Sequence, residues 1–215
     1  MLMLAVDTSG RQGGITLARG DNHNFEVIES ASIEGGTFSA ELIPQISNLL
    51  RRHNLTAQDL QGVVAVTGPG SFTGLRVGLT AVKGLSEVLQ IPVAAVTSLE
   101  LLLAATESAA MTAIDAGRNE VYVAWQKAGE RREELLPFAD AVELARSQSL
   151  RVVTSDANLA AKLANSELVN FCSSEIAAQI GLKKLFSGET TDVLALDANY
   201  IRKSEAEYMQ KLKRV

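Results

Sequence analysis

The run Ala5-Val6-Asp7-Thr8-Ser9-Gly10-Arg11 returns about half a chain length later as Ala113-Ile114-Asp115-Ala116-Gly117-Arg118. In each copy aliphatic residues lead to an Asp, a Gly-containing turn follows, and a second apolar run returns, at 15–18 in the first copy and 121–125 in the second. Apolar runs bounded by Asp, Ser and Gly read as strand, turn and strand. A repeat at this period predicts a duplicated α/β architecture of two similar lobes. The chain has 215 residues, enough for two small domains that each bury a core. The expected lobes are 1–105 and 106–215, with the final helix of the second packing back on the first.

The residues between the copies fill in the first lobe. A third strand is expected at 25–33. Helical spacing follows, with Leu42, Ile43, Ile46, Leu49 and Leu50 on one stripe and Asn54 where a helix would stop. Thr56 with Asp59 marks the start of a short helical turn. Val63-Val64-Ala65-Val66 is apolar at every position, which predicts a strand covered on both faces by helices. Ser71 is placed to cap a helix running to about Gln90, and a strand at 92–96 and a helix at 99–105 complete this half. In the second half the charged stretch 127–134 reads as a solvated loop. A strand at 150–154, a helix at 156–164 and a helix from a Ser173 cap to Phe186, ending at Gly188, are expected after it.

Composition narrows the function classes. Acidic residues outnumber basic ones by 25 to 20, so the chain lacks the electrostatic footprint of an autonomous nucleic-acid binder. The single Cys172 has no internal disulfide partner. Asp7 comes too early for a signal peptide, and no apolar run is long enough to span a bilayer. A cytoplasmic protein without membrane association is expected. Only His23 and His53 are present, far apart, which argues against a transition-metal site and against a Ser-His-Asp hydrolase.

Two features carry chemistry, each with two readings. Asp7, Thr8 and Ser9 in one turn and Asp115 in its copy fit a nucleotide cleft, in which turn N–H groups face a phosphate and the two carboxylates hold Mg²⁺ through water. Tight turns also select Asp and Gly for their own geometry. The loop from Gly68 lacks the Gly-Lys-Ser/Thr ending of a P-loop, so Walker-type binding is rejected. In the helix after it, Gly74, Gly78 and Ala81 share a face beside the apolar stripe of Leu75, Leu79, Val82, Leu85 and Leu89. Each helical glycine costs about 1 kcal/mol relative to alanine, so this face predicts a close contact, either with its own lobe or with a partner.

Leu4-Ala5-Val6-Asp7-Thr8-Ser9, the stretch Gly68-Pro69-Gly70-Ser71-Phe72-Thr73-Gly74-Leu75-Arg76-Val77-Gly78, Asp115-Ala116 with Glu120-Val121-Tyr122, and Tyr200-Ile201-Arg202 together resemble the TsaB (YeaZ) family, in order over almost the whole chain. The resemblance implies an actin-like ATPase fold of two ribonuclease-H-like lobes. It also implies a non-catalytic role in making threonylcarbamoyladenosine in tRNA, as partner of the TsaD transferase with the TsaE ATPase. The chain itself then needs no cofactor; ATP or ADP with Mg belongs to the complex, tRNA is met indirectly, and the isolated chain forms a homodimer. The partner interface implied comprises Leu42 and Ile46 together with Ser71, Phe72, Gly74, Leu75, Arg76, Gly78, Leu79, Ala81 and Val82. On this basis Gly78→Leu is expected to abolish docking and leave the monomer folded. Phe38 and Ala198 depart from the family pattern, where His and Pro are common. An active ATP-dependent kinase or ATPase of the same fold, and a peptidase, are the competing classes.

Overall fold

A computed structural model describes residues 1–106, 110–127, 130–163, 165–170, 173–199 and 201. Cys172, Tyr200 and Arg202 lie outside the described residues. The chain divides into two compact units, Met1–Glu107 with Val169–Ala198, and Ser108–Leu168 with Asn199–Val215. The second lobe expected at 106–215 is therefore interrupted: its late helix belongs with the first unit, because that helix carries the apolar residues that cover the first sheet.

In the first unit, β1 (Leu2–Asp7), β2 (Gln12–Gly20) and β3 (Phe25–Glu34) form an antiparallel meander, and β4 (Gly62–Val66) and β5 (Val93–Val96) add in parallel. The strand order is β3-β2-β1-β4-β5. Alternation along the strands divides the core. Leu2, Leu4, Val6, Val63 and Ala65 face α1 (Phe38–Arg52) and α2 (Phe72–Leu89), against Leu42, Leu49, Leu75, Leu79 and Val82. Met3, Ala5, Val64 and Val66 face the opposite side, against Leu101 of α3 (Ser98–Ala104) and Ala177, Ala178, Leu182 and Leu185 of the 173–187 helix, numbered α6 below. Each fully buried Leu contributes about 1.5–3 kcal/mol over its exposed state, so both faces must be covered, as the wholly apolar β4 requires.

The local signals act as the sequence predicts. Asn54 takes a left-handed φ of 55° after α1, and Gln90 takes 53° after α2. The Ser71 hydroxyl accepts the Gly74 N–H at 3.2 Å, satisfying one free donor at the start of α2. Thr56 and Asp59 form a capping box on the short 3-10 turn Ala57–Asp59.

The second unit repeats the plan. β6 (Ala110–Gly117), β7 (Glu120–Lys127) and β8 (Glu130–Pro137) form the meander; α4 (Phe138–Ser147) leads to β9 (Arg151–Thr154), and α5 (Ala157–Lys162) leads to β10 (Ser166–Leu168). Its order, β10-β9-β6-β7-β8, is that of the first sheet in its own sequence numbering. The fold is thus α/β, two ribonuclease-H-like units of the actin-like ATPase class. One expectation is corrected. Of the charged stretch 127–134, Lys127 ends β7 and residues 130–134 open β8, not a loop; the β7–β8 register runs from Glu120–Pro137 to Lys127–Glu130, and residues 128–129 lie outside the described residues. Ladder hydrogen bonds and an Arg131–Glu133 ion pair let an edge strand carry charge. Helix α4 and strand β10 were not anticipated. The chain ends its described helices with α6 (Ser173–Ser187), and Gly188 takes a φ of 77° just beyond it.

Candidate functional site

The Asp7 turn is built by the end of β1. Asp7 is 3% exposed and its Oδ1 accepts the Ser9 N–H at 2.8 Å. In the second unit Asp115 Oδ1 accepts the Gly117 N–H at 2.9 Å, the same two-residue step, but Asp115 is exposed. The duplicated sequence therefore folds into a duplicated local hydrogen bond, and burial distinguishes the copies. These are ordinary turn geometries, and each of the two carboxylates lies in its own unit. Among the described residues no group of three or more His, Cys, Asp or Glu is placed to hold a metal ion.

Helix α2 locks this turn in place. The Thr8 hydroxyl donates to the Gly74 carbonyl oxygen at 2.7 Å, and the Ser71 N–H donates to the Ser9 carbonyl oxygen at 2.6 Å. A Cβ on Gly74 would stand 2.1 Å from the Thr8 carbonyl oxygen, and one on Gly78 would stand 2.2 Å from Thr8 Oγ1. Both glycines exist to let the helix approach the β1 end of its own lobe.

This corrects the expected interface. Gly74 and Gly78 do not face outward, and Gly78→Leu does not separate docking from folding, because any side chain there collides with Thr8. Leu42, Ile46, Leu75, Leu79 and Val82 are likewise core residues. Of the expected set, Ser71, Phe72 and Arg76 are exposed and Ala81 is half-buried. The inward glycines lie at the flank of the apolar stripe, on the side that meets β1, and helical spacing alone does not say which flank turns inward.

The outward face of α2 is a different row. Phe72, Arg76, Thr80, Gly84 and Val88 follow at four-residue steps, each turned about 40° from the last, so the row winds obliquely along the exposed side of the helix. All are exposed, Phe72 to 53% and Val88 to 80%. Arg76 stacks its guanidinium 3.8 Å from the Phe72 ring centroid. Among the described residues nothing lies within 4 Å of a Cβ built on Gly84. Next to this row, on α1, Ile43 is 58% exposed. It borders an apolar groove of about 350 Å³ whose walls include Ile46, Leu50, Leu55, Ala57 and Leu85. The four-residue row Phe72-Arg76-Thr80-Gly84-Val88 was legible in the sequence once the stripe had fixed which side faces in.

The two histidines are held in local structure. Glu29 Oε2 pairs with His53 Nε2 at 2.7 Å at the end of α1, and the His23 N–H donates to Asp21 Oδ1 at 2.8 Å in the β2–β3 turn. Arg52 also bonds Glu29, and these two partners hold its carboxyl below the usual glutamate range. Phe38, the first residue of α1, is 4% exposed, and its ring packs where a Cβ on Gly13 would fall. Ala198 is buried in the cluster that holds Leu196.

Against known proteins, the chain is 31% identical over 228 aligned positions to the tRNA threonylcarbamoyladenosine biosynthesis protein TsaB of Bacillus subtilis, covering 96% of each. The chain belongs to the TsaB family. Residues 33–215 also match the family model described as "TsaD: tRNA N6-adenosine threonylcarbamoyltransferase". TsaB of Haemophilus influenzae is 29% identical over 128 residues, 57% of this chain and 52% of that protein. Among solved structures, YeaZ from Pseudomonas aeruginosa superposes with a TM-score of 0.70 at 22% identity, over 92% of this chain and 98% of that one, which shows the fold. Among the described residues of this TsaB-family chain no helix is long and apolar enough to cross a membrane.

Proposed function

We propose that this chain is a non-catalytic subunit of a cytoplasmic assembly that forms threonylcarbamoyladenosine on tRNA. Its role is to dock a TsaD-type transferase, joined by a TsaE-type ATPase, through the outward side of α1 and α2. Family membership supplies the pathway, since the TsaB relatives are named for that biosynthesis. The observation that carries the docking surface is Gly84 with Val88: a helical glycine costs about 1 kcal/mol relative to alanine, no atom of the described residues lies within 4 Å of a Cβ built there, and a large apolar side chain stands exposed one turn on. A small residue beside an apolar anchor is the arrangement that lets another helix approach closely. The partner is met directly, tRNA is met through it, and ATP or ADP with Mg is a ligand of the assembly. Without the transferase, the same face pairs with a second copy.

Reconstitution tests this. Modification of tRNA by the transferase and its ATPase should fall to background when this chain is left out, and the chain alone should turn over neither ATP nor RNA. Full product in its absence, or turnover by the chain alone, overturns the reading.

A further inference from the structure

The turn that carries Asp7 and the helix that carries the outward row are not independent parts. Ser71 and Gly74 lie on the first turn of α2, beside Phe72. They hold the turn by two hydrogen bonds, Ser71 N–H to the Ser9 carbonyl and Thr8 hydroxyl to the Gly74 carbonyl. Three glycines remove the space between the two segments. A Cβ would lie 2.2 Å from the Ser9 carbonyl oxygen at Gly70, 2.1 Å from the Thr8 carbonyl oxygen at Gly74, and 2.2 Å from Thr8 Oγ1 at Gly78. The Ser9 peptide, gripped by Ser71 through its oxygen, sits next to the N–H that donates to Asp7 Oδ1. Packed interiors have low compressibility and transmit displacement instead of absorbing it. A load on Phe72 or Arg76 therefore has a continuous backbone route of two contacts to the Asp7 carboxylate.

We propose that Thr8 is a positioning residue coupling occupancy of the outward face of α2 to the Asp7 turn. Docking stiffens the first turns of α2 and, through Thr8 and Ser9, stiffens residues 7–10. By linkage, whatever orders the Asp7 turn strengthens docking by the same factor. The inference rests on the docking reading above and adds to it the direction in which the bound state is transmitted.

The test is hydrogen exchange on the full chain, alone and saturated with the TsaD-type transferase, with complex formation read separately by sedimentation velocity. Peptides spanning residues 7–12, of which Asp7 and Thr8 are buried, should exchange about fivefold more slowly in the complex. Thr8→Val, which keeps the shape and removes the hydroxyl, should still dock but lose part of that protection, the Ser71–Ser9 bond remaining, and Thr8→Ser should retain it. Absence of a complex overturns the docking reading and this inference together. A complex with unchanged exchange at 7–12 overturns this inference alone, and that arm needs only the wild-type chain. Equal protection in Thr8→Val and wild type removes Thr8 as the route.

Discussion

The Thr8 hydroxyl and the Gly74 carbonyl oxygen lie 2.7 Å apart, joining the end of the first strand to the first turn of α2. The contact exists only because residue 74 has no side chain: a Cβ there would overlap the Thr8 carbonyl oxygen. Glycine is thus used for close approach within one lobe, which leaves the opposite side of the same helix for other purposes.

Gly74→Ala should destabilise the chain by about 1–3 kcal/mol, the usual result of forcing a methyl into a filled site. Denaturant unfolding measures it. An unchanged midpoint would mean that the helix has room to withdraw from Thr8.

Gly84→Ala should do the opposite. The site is helical and open, so the substitution gains helix propensity and creates no clash. Stability should rise by about 0.5–1 kcal/mol, read from the same unfolding curves. The sign difference between two glycines ten residues apart on one helix is the most economical check of which face turns inward.

Lys184 of α6 donates to the Ala95 carbonyl oxygen at 2.9 Å and to Glu100 Oε1 at 3.0 Å, tying the late helix to β5 and α3. Lys184→Met keeps the apolar stem and removes the charge, leaving Glu100 without that partner in a poorly solvated site. A loss of about 1–3 kcal/mol is expected, and it should fall on Glu100→Gln, Lys184→Met less than additively. Full additivity in that double-mutant cycle would show that the pair does not interact.

The surface cluster of Glu29 with Arg52 and His53 sets a pH dependence. Hydrogen bonds from Arg52 and then His53 hold the Glu29 carboxyl below its ordinary value. A carboxylate whose folded pKa is depressed adds stability that is present above its unfolded pKa and is lost as pH falls through the folded one. Stability should therefore drop on the acid side of the ordinary glutamate range, and Glu29→Gln should flatten that part of the limb and lower stability at neutral pH, where the carboxylate's contribution is present. An identical acid limb in the variant contradicts the assignment.

Much of the fold was legible because its signals are local. Apolar runs gave β1, β4 and β5, and Asn54, Ser71 and Gly188 marked helix ends through turn and cap chemistry that tertiary packing did not override. The repeat at Asp7 and Asp115 gave the two-unit plan. What failed depended on neighbours. Glu130–Pro137 forms a strand because β7 offers it a ladder, against the preference of its charged residues. Helix α4 fully buries only Ala141 and Ala145, with Phe138, Val142 and Leu144 partly buried against the same core, and this stripe, present in the sequence, went unread. The site was half legible: the sequence revealed that α2 has a glycine face made for close contact, but the identity of the contacted partner, Thr8, required the register of β1 against the helix.

The most direct measurement is the affinity of a TsaD-type transferase for Val88→Glu. Val88 is exposed and touches no core, so the variant should unfold within about 0.5 kcal/mol of wild type. A carboxylate placed on a docking face should weaken binding by about tenfold or more. Binding at wild-type affinity by a folded Val88→Glu chain would contradict the assignment of the outward side of α2 as the docking surface.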